Sequence, residues 1–337
     1  MSERRVTIGD VAERARVSIA TVSRVVNGRY GVARSTIERV QAVIDDLGYE
    51  SSLIARSLRS QRTNVIGILV ADIEPFSAEL LKGAAKALHE TDYEMIVYAA
   101  GRHRADGWER RYLSRLSGTL ADGIILVTPT VVDVGSEHPV VAVDPHVGGS
   151  STPTVDAQNF EGAVEVTQHL IALGHRRIGF LAGRPDLESA RRREAGYRAA
   201  LEAAGIAFDP DLVRIGGFTE ATAEAPAREL LMRAERPTAI FAANDLSAIQ
   251  TMRSATQLGI AVPDEVSVVG FDNIPESALT DPPLTTVDQS IQALGHAAVT
   301  TLIDLIDHPD RVRTATSMHI TLPTKLVVRR SSAAPPG

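Results

Sequence analysis

The hydrophobic period of the chain changes at Asn64, and that change calls for two kinds of architecture within 337 residues. Downstream, short apolar runs recur as VIGILVA (65–71), EMIVYA (94–99), GIILV (123–127) and VVAVD (140–144). A second series follows, RIGFLAG (177–183), LVRIGG (212–217), TAIFAAND (238–245) and VSVVGFD (266–272), with helical patterns between the runs. Runs this short, apolar at nearly every position, suit strands buried on both faces, and such strands belong to parallel sheets covered by helices. Two series therefore predict two doubly wound α/β lobes, with a ligand expected where strand C-termini face the cleft. The last stretch, TKLVVRRSSAAPPG, reads as one strand and then a polar, Pro-rich end predicted to be disordered over 331–337.

Upstream of the change the pattern is all helical. In Thr7 to Asn27, TIGDVAERARVSIATVSRVVN, Thr7 stands three positions before Asp10, the spacing of a capping box. Ile8, Val11, Ala12 and Ala15 recur at helical spacing. Ser18 can cap a second helix that turns Val22, Val25 and Val26 inward. Its other face carries Ile19, Ala20, Thr21, Ser23, Arg24 and Asn27, a mixture suited to thymine methyls, guanine edges and phosphates. A third helix places Ile37, Val40, Ile44 and Leu47 on one face and ends at Leu47-Gly48, a C-cap signal. Short amphipathic helix pairs also occur in proteins that never meet DNA. Here the pair lies at the N-terminus, ahead of a larger α/β region.

Charge is divided along the same line. The chain carries a formal net charge of −7, yet residues 1–62 hold eleven arginines, no lysine and seven carboxylates, a balance of +4. The remaining residues therefore carry −11, and the local basic lobe is what a phosphate backbone would meet. There are no cysteines, which excludes disulfides and thiolate metal sites. No apolar run approaches the roughly 20 residues of a membrane helix. MSERRVTIGD lacks the apolar core of a secretory signal, so a cytoplasmic protein is expected. The nine histidines show no HExxH spacing, and His169 and His175, flanking a helix end, read as structural. No G-x-S-x-G, P-loop or G-x-G-x-x-G after a strand is present, so neither an enzyme nor a cofactor or metal is expected.

The segment 7–27 resembles the N-terminal signature of the LacI/GalR family of bacterial transcription regulators. LGHRRIGFLAG, AIFAANDLSAIQTM, SVVGFDN and PPLTTVDQ resemble successive blocks of that family's effector domain, so the resemblance spans about residues 6 to 330. It implies a helix-turn-helix headpiece (1–50), a hinge helix or linker (51–63) and a periplasmic-binding-protein-like core (64–330). The lobes of that core would be discontinuous, 64–157 with 288–317 and 158–287 with 318–330, the chain crossing near Ala157, Val287 and Ser317. The resemblance puts the helix Ser18–Asn27 in a major groove. Arg24 would contact guanine, Ile19 and Ala20 would select the operator, and Thr21, Ser23, Asn27 and Thr36 would touch phosphate. Leu58, preceded by Ala55-Arg56, matches a hinge leucine that wedges into the minor groove of a pseudopalindromic operator; packing of Leu58 on the core is the other reading. Glu50-Ser51-Ser52 and Ala33 depart from the family, which has Pro-Asn after the tyrosine matching Tyr49 and a capping serine at the start of the third helix.

In the cleft, the resemblance assigns effector contacts to Asp72, Phe76, Arg193 and Phe218; Asp144, Asn244 and Asp272, at strand ends, and Gln289, near the second crossing, are further candidates. Planar polar groups beside aromatic walls suit a sugar. Asp245 ends the same strand as Asn244, and Val127 and Ile291 fall at positions that are often polar or aromatic in the family. A structural account also fits these residues, since Asp and Asn at strand ends often cap helices and Arg193 follows Arg191 and Arg192. A cleft carboxylate pair could also serve a glycosidase. The expectation is a homodimeric, sugar-responsive repressor; a co-repressor or protein partner, or a solute-binding receptor, are the alternatives.

Overall fold

The computed structural model describes residues 6–26, 31–47, 62–101, 108–116, 120–131, 138–146, 152–312 and 318–336. It divides into two compact units, Met1–Thr63 and Asn64–Gly337.

The first unit is three helices, α1 (Ile8–Ala15), α2 (Ile19–Val26) and α3 (Arg34–Leu47). Local chemistry sets each boundary. The Thr7 hydroxyl accepts from the Asp10 amide at 3.3 Å, while Asp10 Oδ2 accepts from the Thr7 amide at 2.7 Å, closing the capping box. Arg16 then takes a left-handed conformation (φ 56°) that ends α1, and Ser18 Oγ accepts from the Thr21 amide at 3.1 Å to start α2. Val11, Ala12, Ala15, Val22 and Val40 form the buried centre, with Ile8, Val25, Val26, Val43, Ile44 and Leu47 packed around it. Ile37, expected inside, is 40% exposed, because Val40, Val43, Ile44 and Leu47 already fill the inner face of α3. Asn27, Tyr49 and the hinge positions 50–61, including Ala55 and Leu58, lie outside the described residues.

The second unit contains two parallel sheets. Lobe 1 is six-stranded, in the order β11 (His319–Leu322), β5 (Thr154–Ala157), β4 (Val140–Val143), β3 (Gly123–Val127), β1 (Val65–Val70), β2 (Glu94–Ala99). Lobe 2 runs β7 (Val213–Ile215), β6 (Ile178–Ala182), β8 (Ala239–Ala242), β9 (Ser267–Val269). In both, the second strand of the lobe lies outside the first and later strands add on the other side, the flavodoxin-like doubly wound order. Every residue of β1, β3 and β4 is buried, which is why these strands read as unbroken apolar runs.

Helices α4 (Pro75–Leu88), α5 (Trp108–Leu116) and α10 (Ile291–Asp307) belong to lobe 1. Lobe 2 carries α6 (Asn159–Ala172), α7 (Glu188–Ala203), α8 (Glu220–Leu231) and α9 (Asp245–Gln257). A one-turn α11 (Pro309–Val312) follows α10. Helices α4 and α10 approach closely enough that a Cβ on Gly83 would strike the Gln292 carbonyl, and one on Gly295 the Leu80 carbonyl. A two-stranded antiparallel pair, β10 (Thr286–Asp288) with β12 (Lys325–Val327), runs between the lobes' chain segments.

The last crossing was expected near Ser317, yet residues 319–322 form β11 on the edge of the lobe 1 sheet, paired with β5 from Thr154↔His319 to Ala157↔Leu322. The crossing therefore follows Leu322. Disorder is expected over 331–337, but residues 331–333 are tied to the lobe 2 core by hydrogen bonds. Ser331 is fully buried, its Oγ accepting from the Thr285 amide and donating to the Val268 carbonyl at 2.6 Å. The tail is held by His175, whose Nε2 lies 2.8 Å from the Ala333 carbonyl, and by His169, whose Nε2 lies 3.0 Å from Ser332 Oγ. Composition gave no sign of this because hydrogen bonds, more than apolar area, fix the segment.

Candidate functional site

Each unit presents one candidate surface. In the first, α2 buries Val22 and turns its opposite face outward. Ile19 is 54% exposed, Ala20 and Arg24 are exposed, and Thr21, Ser23 and Thr36 are half-buried. Thr21 Oγ1 lies 2.9 Å from Ser18 Oγ, so its hydroxyl serves the helix start first. Ala33 is the residue before α3, and its methyl offers no acceptor to the amides of the first turn; its carbonyl takes the Thr36 and Ile37 amides.

In the second unit, a cavity of about 380 Å³ opens between the lobes. Nearly all its walls follow the C-terminal ends of parallel strands, the position where open α/β sheets hold ligands. From lobe 1 come Asp72 and Phe76 after β1, Thr128 after β3, and Asp144 and His146 after β4. From lobe 2 come Arg184 and Leu187 after β6, Phe218 and Thr219 after β7, Asn244 after β8, and Asp272 after β9. Thr128, Asp144 and Asp272 take positive φ values of 46°, 47° and 123°. Non-glycine residues rarely do so, and such strain gathers at ligand sites.

Arg193, on α7, is the hub and is only 3% exposed. Its Nε donates to Asn159 Oδ1 at 2.8 Å, and Nη1 donates to the Ala243 carbonyl at 2.6 Å and to Asp272 Oδ1 at 3.2 Å. The guanidinium lies over Phe271 at 3.9 Å and within 5.7 Å of Phe218, a cation–π cage that fixes its plane. Gly183 leaves room for this arrangement, since a Cβ there would overlap the Phe218 ring. The neighbouring Arg191 and Arg192 are tied to Glu188 near the surface.

Burial dominates the acids. It raises the Asp272 carboxyl to about 7, against the lowering effect of Arg193, with Glu74 and Asp144 raising it further. Burial also raises Asp144, whose Oδ2 accepts from Ser189 Oγ at 3.1 Å. His146 is pushed down by burial and by Arg184, so its ring favours the neutral form.

The cavity brings together Asp72, Phe76, Asp144, Arg193, Phe218, Asn244 and Asp272. Gln289 does not line it; this residue is 2% exposed and donates to Asp272 Oδ1 at 2.6 Å from behind. Asp245 is fully buried, accepting from the Ile274 amide and the Thr286 hydroxyl, and it braces the base of lobe 2. Val127 and Ile291 are core residues of lobe 1. Sequence reasoning missed Glu74, Ser77, Thr128, His146, Arg184, Leu187, Thr219 and Thr222. For Glu74 a signal existed, an acid directly before Pro75, which matches an N-cap followed by proline.

A small helix-turn-helix unit ahead of a two-lobed α/β core with a polar cleft defines a bacterial regulator built from a DNA-reading part and a ligand-sensing part. The chain belongs to the lacI family of bacterial regulatory proteins. That family's model matches residues 7–52, and a periplasmic binding protein-like domain matches residues 167–332. Among its relatives, the HTH-type transcriptional regulator CelR of Thermobifida fusca is 35% identical over 97% of this chain and 98% of its own. The HTH-type transcriptional repressor PurR of Aliivibrio salmonicida is 31% identical over 96% of this chain and 99% of its own. Among solved structures, the Lac repressor bound to ONPG in its repressed state superimposes with a TM-score of 0.85 at 28% identity, covering 98% of this chain and all of that one. The CelR–cellobiose complex gives a TM-score of 0.70 at 34% identity, over 97% of this chain and all of that one. No helix of the described residues is long and apolar enough to cross a membrane.

Proposed function

We propose that this regulator is a cytoplasmic, homodimeric repressor whose operator affinity is set by a sugar or sugar derivative in the inter-lobe cavity. The observation that carries this reading is the cavity itself. A caged guanidinium, two strand-end carboxyls and Asn244 supply planar donors and acceptors for hydroxyls, and Phe76 and Phe218 supply apolar wall for a ring's C–H face. The relative solved with cellobiose and the Lac repressor solved with ONPG support it. Ile19, Ala20 and Arg24 read base edges, Thr21, Ser23, Asn27 and Thr36 set register on phosphate, and Ala55 and Leu58 form the hinge contact. Gln289 acts on the effector through Asp272. The effector needs only to prefer one lobe arrangement; a coupling of about 1–3 kcal/mol suffices for regulation.

The test is to sequence genomic fragments retained by the purified protein at near-physiological salt, with and without a panel of sugars. A recovered pseudopalindrome whose retention one sugar abolishes is the expected result. Fragments enriched only when a sugar is present would make that sugar a co-repressor. No enriched palindrome under any condition would refute sequence-specific operator binding.

A further inference from the structure

The cavity has a charge asymmetry that its sugar reading does not use. Asp72, Glu74, Asp144 and Asp272 line it with carboxyl groups, against the guanidiniums of Arg184 and Arg193. Both guanidiniums already have acidic partners. Arg184 donates to Asp186 at 3.2 and 2.6 Å, and Arg193 is paired with Asp272. Helices α4, α7, α8 and α9 begin at the cavity, and amides at helix starts are where a ligand phosphate or carboxylate is ordinarily held. The start of α7, at Leu187, has no side-chain cap, and in its first turn the Ser189 hydroxyl already donates to the Asp144 carboxylate at 3.1 Å; the other three starts are capped by side chains. Thr219 Oγ1 accepts from the Thr222 amide at 3.2 Å, and Asn244 Oδ1 accepts from the Ser247 amide at 3.0 Å. On α4 the cap is anionic: Glu74 accepts from the Phe76 amide at 2.7 Å, and from the Ser77 amide and hydroxyl at 2.9 and 2.5 Å.

We infer that Glu74 is a specificity-determining residue that makes the cavity select uncharged, hydroxyl-rich ligands and reject phosphorylated or carboxylated ones. The inference rests on reading the cavity as the effector site. Glu74 occupies the α4 start, which would otherwise offer its amides to an anion, and it adds negative charge to a wall already holding Asp72, Asp144 and Asp272. The field is felt locally, since Glu74 and Asp144 both push the Asp272 carboxyl upward beyond the effect of burial. A ligand anion would face the same repulsion with no unmatched guanidinium to offset it.

The experiment uses the full chain and Glu74→Asn, which keeps a neutral capping acceptor, with Glu74→Gln as a near-isosteric second variant. Calorimetric titration at about pH 8, where the usual carboxyls are ionised, compares cellobiose, ribose and adenosine with their phosphate monoesters. The unaltered protein should bind an ester about 100-fold more weakly than its parent, and the variants should narrow that gap about tenfold. An ester bound as tightly as its parent, or a gap that neither variant changes, overturns the inference. Inorganic phosphate gives a readout that needs no sugar: it should raise the unfolding temperature of Glu74→Asn and leave the unaltered protein unmoved. Equal responses overturn the inference even if no organic compound binds. Adenosine bound while the sugars are inert would refute the sugar reading and leave charge selection standing.

Discussion

Arg24 and Arg193, one in each unit, are held in opposite states. Arg24 projects from α2 with its side chain exposed, on a helix that buries only Val22. Arg193 is 3% exposed, engages Asn159, the Ala243 carbonyl and Asp272, and lies flat on Phe271. A side chain left in water can be changed with little structural consequence, so its effect falls on whatever it meets. One locked into a buried polar network belongs to the fold and to the site together. Substitution at the two positions should therefore separate cleanly.

The largest effect is expected from Arg193→Ala. Removing one partner of a buried pair leaves Asp272 uncompensated, a loss of about 3–5 kcal/mol in core stability, and effector binding should vanish with it. Denaturant unfolding and calorimetry on the full chain measure both. Arg193→Lys should fail to restore binding, because an ammonium cannot reproduce the fork to Asn159 and Asp272. A variant of unchanged stability that still binds effector would erase the contrast.

Arg24→Ala should leave the unfolding curve unmoved and remove about 1–3 kcal/mol of discrimination between operator and random DNA. Weak binding should remain and should still fall steeply with salt, since the phosphate contacts persist. Full retention of operator preference would show that Arg24 does not read a base.

How much of this was legible follows the same division. The first unit is local: the Thr7–Asp10 box, the Ser18 cap and the inward valines all follow from spacing of a few residues. The apolar strands of both lobes were equally plain. What escaped was held by polar contacts between distant segments. Strand β5 carries Thr154 and Asp156, which are buried because His319 on β11 bridges them at 2.8 and 3.1 Å. Neither strand shows the apolar run that marks the others. In the cleft, sequence placed residues at strand ends but could not tell which way they turn. Asn244 faces the cavity, whereas Asp245 beside it turns into lobe 2.

The cleft should also respond to pH where the α2 surface does not. The Asp272 carboxyl titrates near 7, held up mainly by burial. Hydroxyl donors favour its ionised form, so effector affinity should fall as pH drops below 7, by up to about tenfold per unit. The empty core behaves in the opposite sense. Its folded carboxyl binds a proton more tightly than the unfolded one, so stability is highest below the ordinary aspartate range. It declines as pH rises toward 7 and levels off above. Calorimetry in two buffers of different ionisation enthalpy would detect the proton released on binding. Affinity that is flat between about pH 6 and 8 would mean that Asp272 does not accept from the ligand.

The smallest expected effect returns to the first unit. Ala33 precedes α3 without a side-chain acceptor, whereas Thr7 and Ser18 cap α1 and α2. Ala33→Ser should supply the missing acceptor to the first-turn amides and stabilise α3 by about 1 kcal/mol. Slowed hydrogen exchange at α3 amides, measured in the full chain, would register it. Because α3 packs Val40, Val43 and Ile44 against α1 and α2, a steadier α3 should hold the exposed face of α2 more firmly. Operator affinity should then rise slightly while Arg24's share of discrimination stays unchanged. Loss of affinity in the more stable variant would mean instead that α3 must loosen for α2 to dock, and the exposed face could no longer be treated as a surface independent of the packing beneath it.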